Sequence, residues 1–368
     1  MNRLFAILLL LAVFSLFTNC KKLNTMNGKY EWLTLTTADE GYPMKIRSGE
    51  FYNQNGESIA GIPADMYLSS QWWDGDSGVM ITGDQYRDIP ARMKIKWYSY
   101  AEDQFYEGDF KINNEKISNL FKEGTSCEKG NYKYIKVAIA PAGQVYLYLT
   151  GPNSTLIGAF QAKEYFVDNF VKEMRITKEG ITREISVKSR IEDMPLQTQQ
   201  EIAEKRISTQ IWKDINIHYP WNYTHEVEDD QRPLIMQKDK LGADYINGET
   251  SWCVSPDYFQ NTNSKAIPLE IDAKFETQAG MKLVIRIYPG NVNGVEAYKQ
   301  PYAIRRAREQ ELVKVFKDFY EKIGKQPFSI HLKINDDFKT GKVYLKKGNV
   351  EQEIPNVEVQ IFNTTFDN

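Results

Sequence analysis

Twice along this chain the same succession can be read: two alternating strands, a helix with one apolar face, and two more strands. In the first, RMKIKWYSY (92–100) and QFYEGDFKI (104–112) alternate β-formers with polar residues. NEKISNLFKEG follows, with Ile117, Leu120 and Phe121 spaced for one helix face, Asn114 to cap the start and Gly124 to end it. YKYIKVAIAP and GQVYLYLTG then pair around Pro141, Ala142 and Gly143. In the second, IPLEIDAKFET (267–277) and MKLVIRIYPG (281–290) precede a long helical stretch whose Ile304, Leu312, Val315, Phe319 and Ile323 form one stripe. FSIHLKIND and GKVYLKKGN close it, so that GKVYL stands where GQVYL stood. The order predicts an α+β fold of two antiparallel-sheet halves, each with a packed helix. Internal duplication and independent use of one pattern both account for the recurrence.

The halves are expected at 29–190 and 266–368. Between them, 191–265 reads as a helical bridge, with Ile202, Ile207, Ile211 and Trp212 at loosely helical spacing, followed by an exposed acidic loop, HEVEDDQRP (225–233). Aromatic residues make up 13% of the chain, which suits half-buried sheet faces where rings fill area and polar tips reach water. A net charge of −3 provides no global positive field, so nucleic acid is not an expected partner.

The chain opens MNRLFAILLLLAVFSLFTNC, apolar from Leu4 to Phe17. That run is short for a permanent membrane helix and matches the apolar region of a secretion signal. Cys20 follows directly, an arrangement that resembles a bacterial lipoprotein lipobox, with Asn19 where Gly, Ala or Ser is more usual. Residues 1–19 therefore read as a lipoprotein signal peptide and 20–28 as a lipidated cysteine and tether, whose acyl chains would be the membrane partner. Lys21 and Lys22 follow with no acidic run, which points to the periplasmic face of the outer membrane. Cys127 and Cys253 remain; in an oxidising compartment they either pair or stay as two buried thiols, and their spacing fits no zinc or redox motif.

WWDGDSGVMITGD (72–84) draws three chemical readings. Ser77, in Gly-Asp-Ser-Gly, lacks the following Gly-Pro of chymotrypsin-like proteases, and Val79 breaks the Gly-x-Ser-x-Gly elbow. Asp74, Asp76 and Asp84 offer oxygen ligands, but Gly78 and Gln85 stand where a calcium loop of the EF-hand type needs its fifth and twelfth residues. Trp72 and Trp73 suggest a sugar platform, although neighbours on a strand face opposite ways. A plain hairpin turn is the simpler reading. His225 with Glu226, Glu228, Asp229 and Asp230 lacks the spacing that gathers metal ligands on one helix face. No catalytic residues, cofactor or metal are assigned. The candidate ligand-facing residues are Trp72, Trp73, Asp74, Asp76, Trp97 and Trp221.

From WYSYAEDQFYEGDF through ISNLFKEG to IAPAGQVYLYLTG, the chain resembles a bacterial family known as domain of unknown function 2931. Trp97, Tyr98, Glu102, Phe105, Gly108 and Phe110 carry the likeness first, then Phe121, Gly124, Pro141, Gly143 and Gly151, and HYPWNY (218–223) resembles the family's later aromatic patch. The resemblance implies an α+β envelope lipoprotein and brings no functional residues with it. Ala142 stands where Gly is expected, which a type I turn tolerates. The expectation is a non-catalytic binding or immunity-like interaction protein with a protein or glycan partner. The alternatives are a glycan-binding module and a hydrolase or metal-dependent enzyme at the Asp74–Ser77 loop.

Overall fold

Strand alternation sets which faces are buried. In Arg92–Ser99, Met93, Ile95 and Trp97 enter the core while Arg92, Lys94 and Lys96 face water. In Pro268–Thr277, Leu269, Ile271, Ala273 and Phe275 do the same. The structure, a computed structural model, describes residues 25–26, 28–69, 84–125, 127, 130–227, 234–237, 241–278 and 280–363. Cys20, Trp72, Trp73, Asp74, Asp76 and Ser77 lie outside the described residues.

The first half contains β1 (Leu33–Ala38), β2 (Met44–Tyr52), β3 (Ser58–Gly61), β4 (Arg92–Ser99) and β5 (Gln104–Lys111), then helix α1 (Asn114–Glu123). It continues with β6 (Tyr134–Ala140), β7 (Gln144–Thr150), β8 (Ser154–Gln161) and β9 (Lys163–Tyr165). Two main sheets result, ordered β9-β5-β4-β2-β3 and β1-β6-β7-β8, beside a small three-stranded sheet of Thr25–Met26, Lys29–Glu31 and Tyr86–Arg87. Helices α2 (Phe170–Glu173), α3 (Arg183–Glu192), α4 (Leu196–Ala203) and α5 (Gln210–Asp214) follow. The second half contains β10 (Tyr219–Val227), β11 (Leu241–Tyr245), β12 (Thr250–Val254), α6 (Pro256–Gln260), β13 (Pro268–Thr277) and β14 (Lys282–Tyr288). After α7 (Tyr302–Lys322) come β15 (Phe328–Ile334), β16 (Gly341–Lys347), β17 (Val350–Glu353) and β18 (Glu358–Asn363). Its two sheets run β18-β14-β13-β11-β12 and β10-β15-β16-β17, the latter extended beyond β10 by the short strand Asn263–Lys265. A pairing of Ser154 with Thr250 joins β8 to β12, so one sheet from each half continues into the other.

Mixed α and β content agrees with the α+β expectation, and two particulars need correction. The sheets are not purely antiparallel: β1 lies parallel to β6, and β10 parallel to β15. In both cases the chain between the partners passes through the other sheet and a helix, a connection long enough for a parallel return. The bridge is helical only to Asp214; residues 219–265 supply β10, β11 and β12 to the second half. Within HEVEDDQRP, residues 225–227 end β10 and 228–233 lie outside the described residues.

Trp97 and Trp221, expected to face a ligand, are wholly buried. Each sits on the inward side of its strand, where a large apolar ring gains most by leaving water. Helix α1 is capped one residue earlier than expected: the Asn113 side chain accepts from the Lys116 amide, and Gly124, at φ 68°, ends the helix with its amide on Leu120 O. The 141–143 turn is left-handed at both Ala142 (φ 57°) and Gly143 (φ 70°), so it is not type I. Glu102 stabilises it by accepting from the Ala142 amide at 2.8 Å.

In α7 the apolar stripe fails at its start. Ile304 is 46% exposed, and Arg305, Arg306 and Glu309 are buried instead. Asp39 and Glu40, just beyond β1, explain this. Arg306 donates to Asp39 at 2.7 Å and also to Glu309, while Arg305 pairs with Glu40 at 3.2 Å. The Arg306 guanidinium also lies 4.2 Å from the centre of the Trp212 ring on α5. First half, bridge and second half thus meet at one buried ionic cluster. A disulfide between Cys127, in the loop after α1, and Cys253, on β12, ties the halves covalently. Among the described residues no helix is long and apolar enough to cross a membrane.

Candidate functional site at the seam

Asn247-Gly248-Glu249 closes the β11–β12 hairpin. Gly248 adopts φ 82°, which a Cβ would oppose, and this lets its amide reach Tyr245 O at 2.9 Å while Tyr245 donates to Glu249 O at 3.0 Å. The turn presents the Glu249 carboxylate to β8 of the first half. There Oε1 accepts the Leu156 amide at 2.8 Å, and Oε2 accepts from Asn247 Nδ2 at 2.9 Å and pairs with His218 Nε2. His218 immediately precedes β10, and its other nitrogen, Nδ1, lies 3.2 Å from Asn216 O.

A cleft of about 610 Å³ opens around this pair, walled by Thr155 and Leu156 on one side and by Ser251, Tyr258, Ser264 and Lys265 on the other. Burial disfavours charge on both members of the pair, but their mutual attraction wins. His218 is held above its usual pKa and Glu249 below its own. A carbonyl can only accept, and so can an ionised carboxylate, so both ring nitrogens of His218 must donate. The arrangement calls for an imidazolium, with no lone pair left to take a proton.

The other polar groups are similarly engaged. Lys265, pushed down to about 8 by burial, donates to Trp221 O at 2.6 Å, Asn261 O at 3.2 Å and Asn263 O at 3.4 Å. Tyr258 shares its hydroxyl with Tyr245 at 3.0 Å and Ser251 at 2.8 Å. Burial raises the pKa of both tyrosines, so both remain phenols near neutral pH. Lys116 reaches across from α1 to Leu156 O at 2.7 Å.

The same local bonds recur in the first half. Asn55-Gly56-Glu57 closes the β2–β3 hairpin, with Gly56 at φ 81°, Gly56 N to Asn53 O at 3.1 Å and Asn53 N to Glu57 O at 3.0 Å. An asparagine again braces the carboxylate, Asn53 Nδ2 to Glu57 Oε2 at 2.7 Å. Beside each hairpin a tryptophan and a cation clasp one another. Arg87 donates to Trp32 O at 3.1 Å, and the Trp32 indole donates to Asp88 O at 3.2 Å. Lys265 donates to Trp221 O at 2.6 Å, and the Trp221 indole donates to Ala266 O at 3.1 Å. Both cations lie over their indole ring, at 5.7 and 4.5 Å. A second cleft, of about 670 Å³, lies beside the first hairpin, between Gln54, Asn55 and Asp88 and the α1 residues Asn114, Ser118 and Lys122.

Of the six candidate ligand-facing residues, Trp97 and Trp221 are core, and the other four lie outside the described residues. His225 does not join the seam, since its Nε2 lies 3.1 Å from Leu234 O. Glu249, Lys265 and Tyr258 carried no motif in the sequence. The repeated Asn-Gly-Glu was the available signal, because Asn-Gly marks a tight hairpin and fixes where the next side chain points. The family model described as "Protein of unknown function (DUF2931)" matches residues 19–209, the first half and the helices behind it. No curated protein and no solved structure matches the chain.

Proposed function

The chain belongs to this family of proteins of unknown function, DUF2931, and from that premise we propose an envelope-anchored, non-catalytic binding protein of the immunity-like kind, built from two copies of one folding unit. The observation that carries the binding reading is the engagement of the seam groups: His218 uses both nitrogens, Glu249 both oxygens, and Lys265 three carbonyls, all within the chain. A general base needs a lone pair directed at substrate, and a nucleophile needs such a base beside it. These residues serve as a latch between two bodies, and the clefts at the hairpin tips are where a partner has polar groups to meet.

Support for two copies comes from three coincidences that do not depend on one another: matching sheet orders, the Asn-Gly-Glu turn, and the reciprocal tryptophan–cation clasp. The GQVYL and GKVYL strands, β7 and β16, take equivalent places in that scheme. Anchoring rests on Cys20 after its apolar run, and the Cys127–Cys253 disulfide suits an oxidising compartment. The periplasmic face of the outer membrane is the proposed location.

Fatty-acid labelling in a bacterial host tests the anchor: label in the wild-type chain and none in Cys20→Ser is expected, and equal labelling of both contradicts it. Cross-linked capture from envelopes tests the binding reading. It should recover one partner in stoichiometric amount, and repeated recovery of none contradicts it.

A further inference from the structure

We infer that the open cleft beside Glu57 is a docking site for an extended polypeptide segment of another protein, carrying small hydroxyl side chains and a basic residue. The inference rests on the two-copy reading above, because the second copy of the hairpin already has such an occupant. There β8 runs past the β11–β12 tip: Leu156 N–H donates to Glu249, Ser154 N–H donates to Thr250 Oγ1 at 2.9 Å, and Trp252 N–H donates to Asn153 Oδ1 at 2.6 Å. Lys116 brings a cation to the same place, near His218 and Glu249.

In the first copy the two side-chain acceptors have counterparts. Glu57 corresponds to Glu249 and Ser58 to Thr250, and both Glu57 and Ser58 are exposed. β3 corresponds to β12, but among the described residues it pairs with β2 alone and ends its sheet; Thr34 Oγ1 donates to Gly61 O at 3.1 Å, and the edge before it, from Ser58, can accept a strand. The cleft lies at the tip of the hairpin that leads into this edge and runs from Asn53 and Asn55 to α1, with Asn114 and Ser118 along it. Asp88 and Glu115 line it against Lys122, and Glu57 is held beside it by Asn53, leaving a negative balance for a basic segment to neutralise. A second copy of this chain is a poor occupant. Its corresponding strand is β17, whose Glu351 and Glu353 would meet Glu57 as like charges.

The probe is a peptide copying residues 152–163, the chain's own occupant of the second hairpin extended to the basic Lys163, compared with a scrambled peptide of the same composition. Titrated into the full-length, disulfide-intact chain and followed by NMR, it should bind saturably with a Kd of about 1 mM or tighter. Shifts should concentrate at Ser58–Gly61 and the first turn of α1. Glu57→Ala, and separately Ser118→Trp, should each weaken binding at least about tenfold with unchanged circular dichroism. No saturation, equal binding of the scrambled peptide, or indifference to both variants overturns the inference. Self-association abolished by Glu57→Ala overturns it in favour of a second copy. An intact, unbound peptide leaves the non-catalytic reading standing; a cleaved peptide removes that reading and this inference together.

Discussion

Between His218 and Glu249 each charge depends on the other. His218 is raised above its usual 6.5 because Glu249 outweighs the burial that opposes it, so its contribution to stability is present below about pH 6.5 and is lost as pH rises through the folded value. Glu249 is lowered below its usual 4.5 by the same partner, again against burial, so its contribution is present above about pH 4.5 and is lost as pH falls through the folded value. Their joint stabilisation is therefore largest between the two. Denaturant unfolding of Glu249→Gln should show a loss of about 1–3 kcal/mol relative to wild type near pH 5.5, shrinking at pH 8.5 and at pH 3. A pH-independent loss would contradict the ionic latch. Nitrogen NMR of the His218 ring should find both nitrogens protonated below a midpoint that exceeds 6.5. The pair is not legible in the sequence, because 31 residues separate its members and neither belongs to a motif. Residue types alone do not reveal that a hairpin tip and a strand start will meet.

At the scale of elements, α7 shows how periodicity can name a helix and still misjudge its buried face. Leu312 and Phe319 are core as the stripe requires, yet Ile304 faces water because Asp39 and Glu40 recruit Arg305 and Arg306 inward. The long-range partner decides, and a periodicity window does not contain it. Arg306 and Asp39 have side chains 5% and 2% exposed, so removing Asp39 leaves Arg306 buried with Glu309 alone, a carboxylate it shares with Arg305. Asp39→Ala should lower unfolding free energy by about 3–5 kcal/mol, whereas Ile304→Ala should change it by less than about 0.5 kcal/mol, both read from urea denaturation. Strand positions were easier to read. Alternation in 92–99 and 268–277 is a local property that the sheets preserve. The β1–β6 and β10–β15 parallel pairings were not legible, since nothing in a strand's own sequence reports the direction of its neighbour.

For the whole molecule, the recurring order of strands and helix was visible in the sequence, but its meaning depended on bonds that only the folded chain reveals. Two hairpins close on Asn-Gly-Glu, and two tryptophans exchange bonds with a cation and the residue after it. One hairpin tip is covered and the other open, so on the proposed two-copy reading a functional asymmetry lies where the copies differ. The seam that covers the second tip is reinforced by Cys127–Cys253, separated by 126 residues. By loop closure alone, reduction should destabilise the chain by about 4–5 kcal/mol, and the Cys127→Ser/Cys253→Ser variant should match the reduced wild type in denaturant unfolding. The most direct measurement of the docking account is amide hydrogen exchange on the full-length chain, in native envelopes and after purification. The account predicts that Ser58–Gly61 and the first turn of α1 exchange at least about tenfold more slowly in envelopes, with the β11–β12 tip unchanged because β8 covers it in both settings. Equal exchange at Ser58–Gly61 in the two settings, or slowing confined to β11–β12, would contradict it.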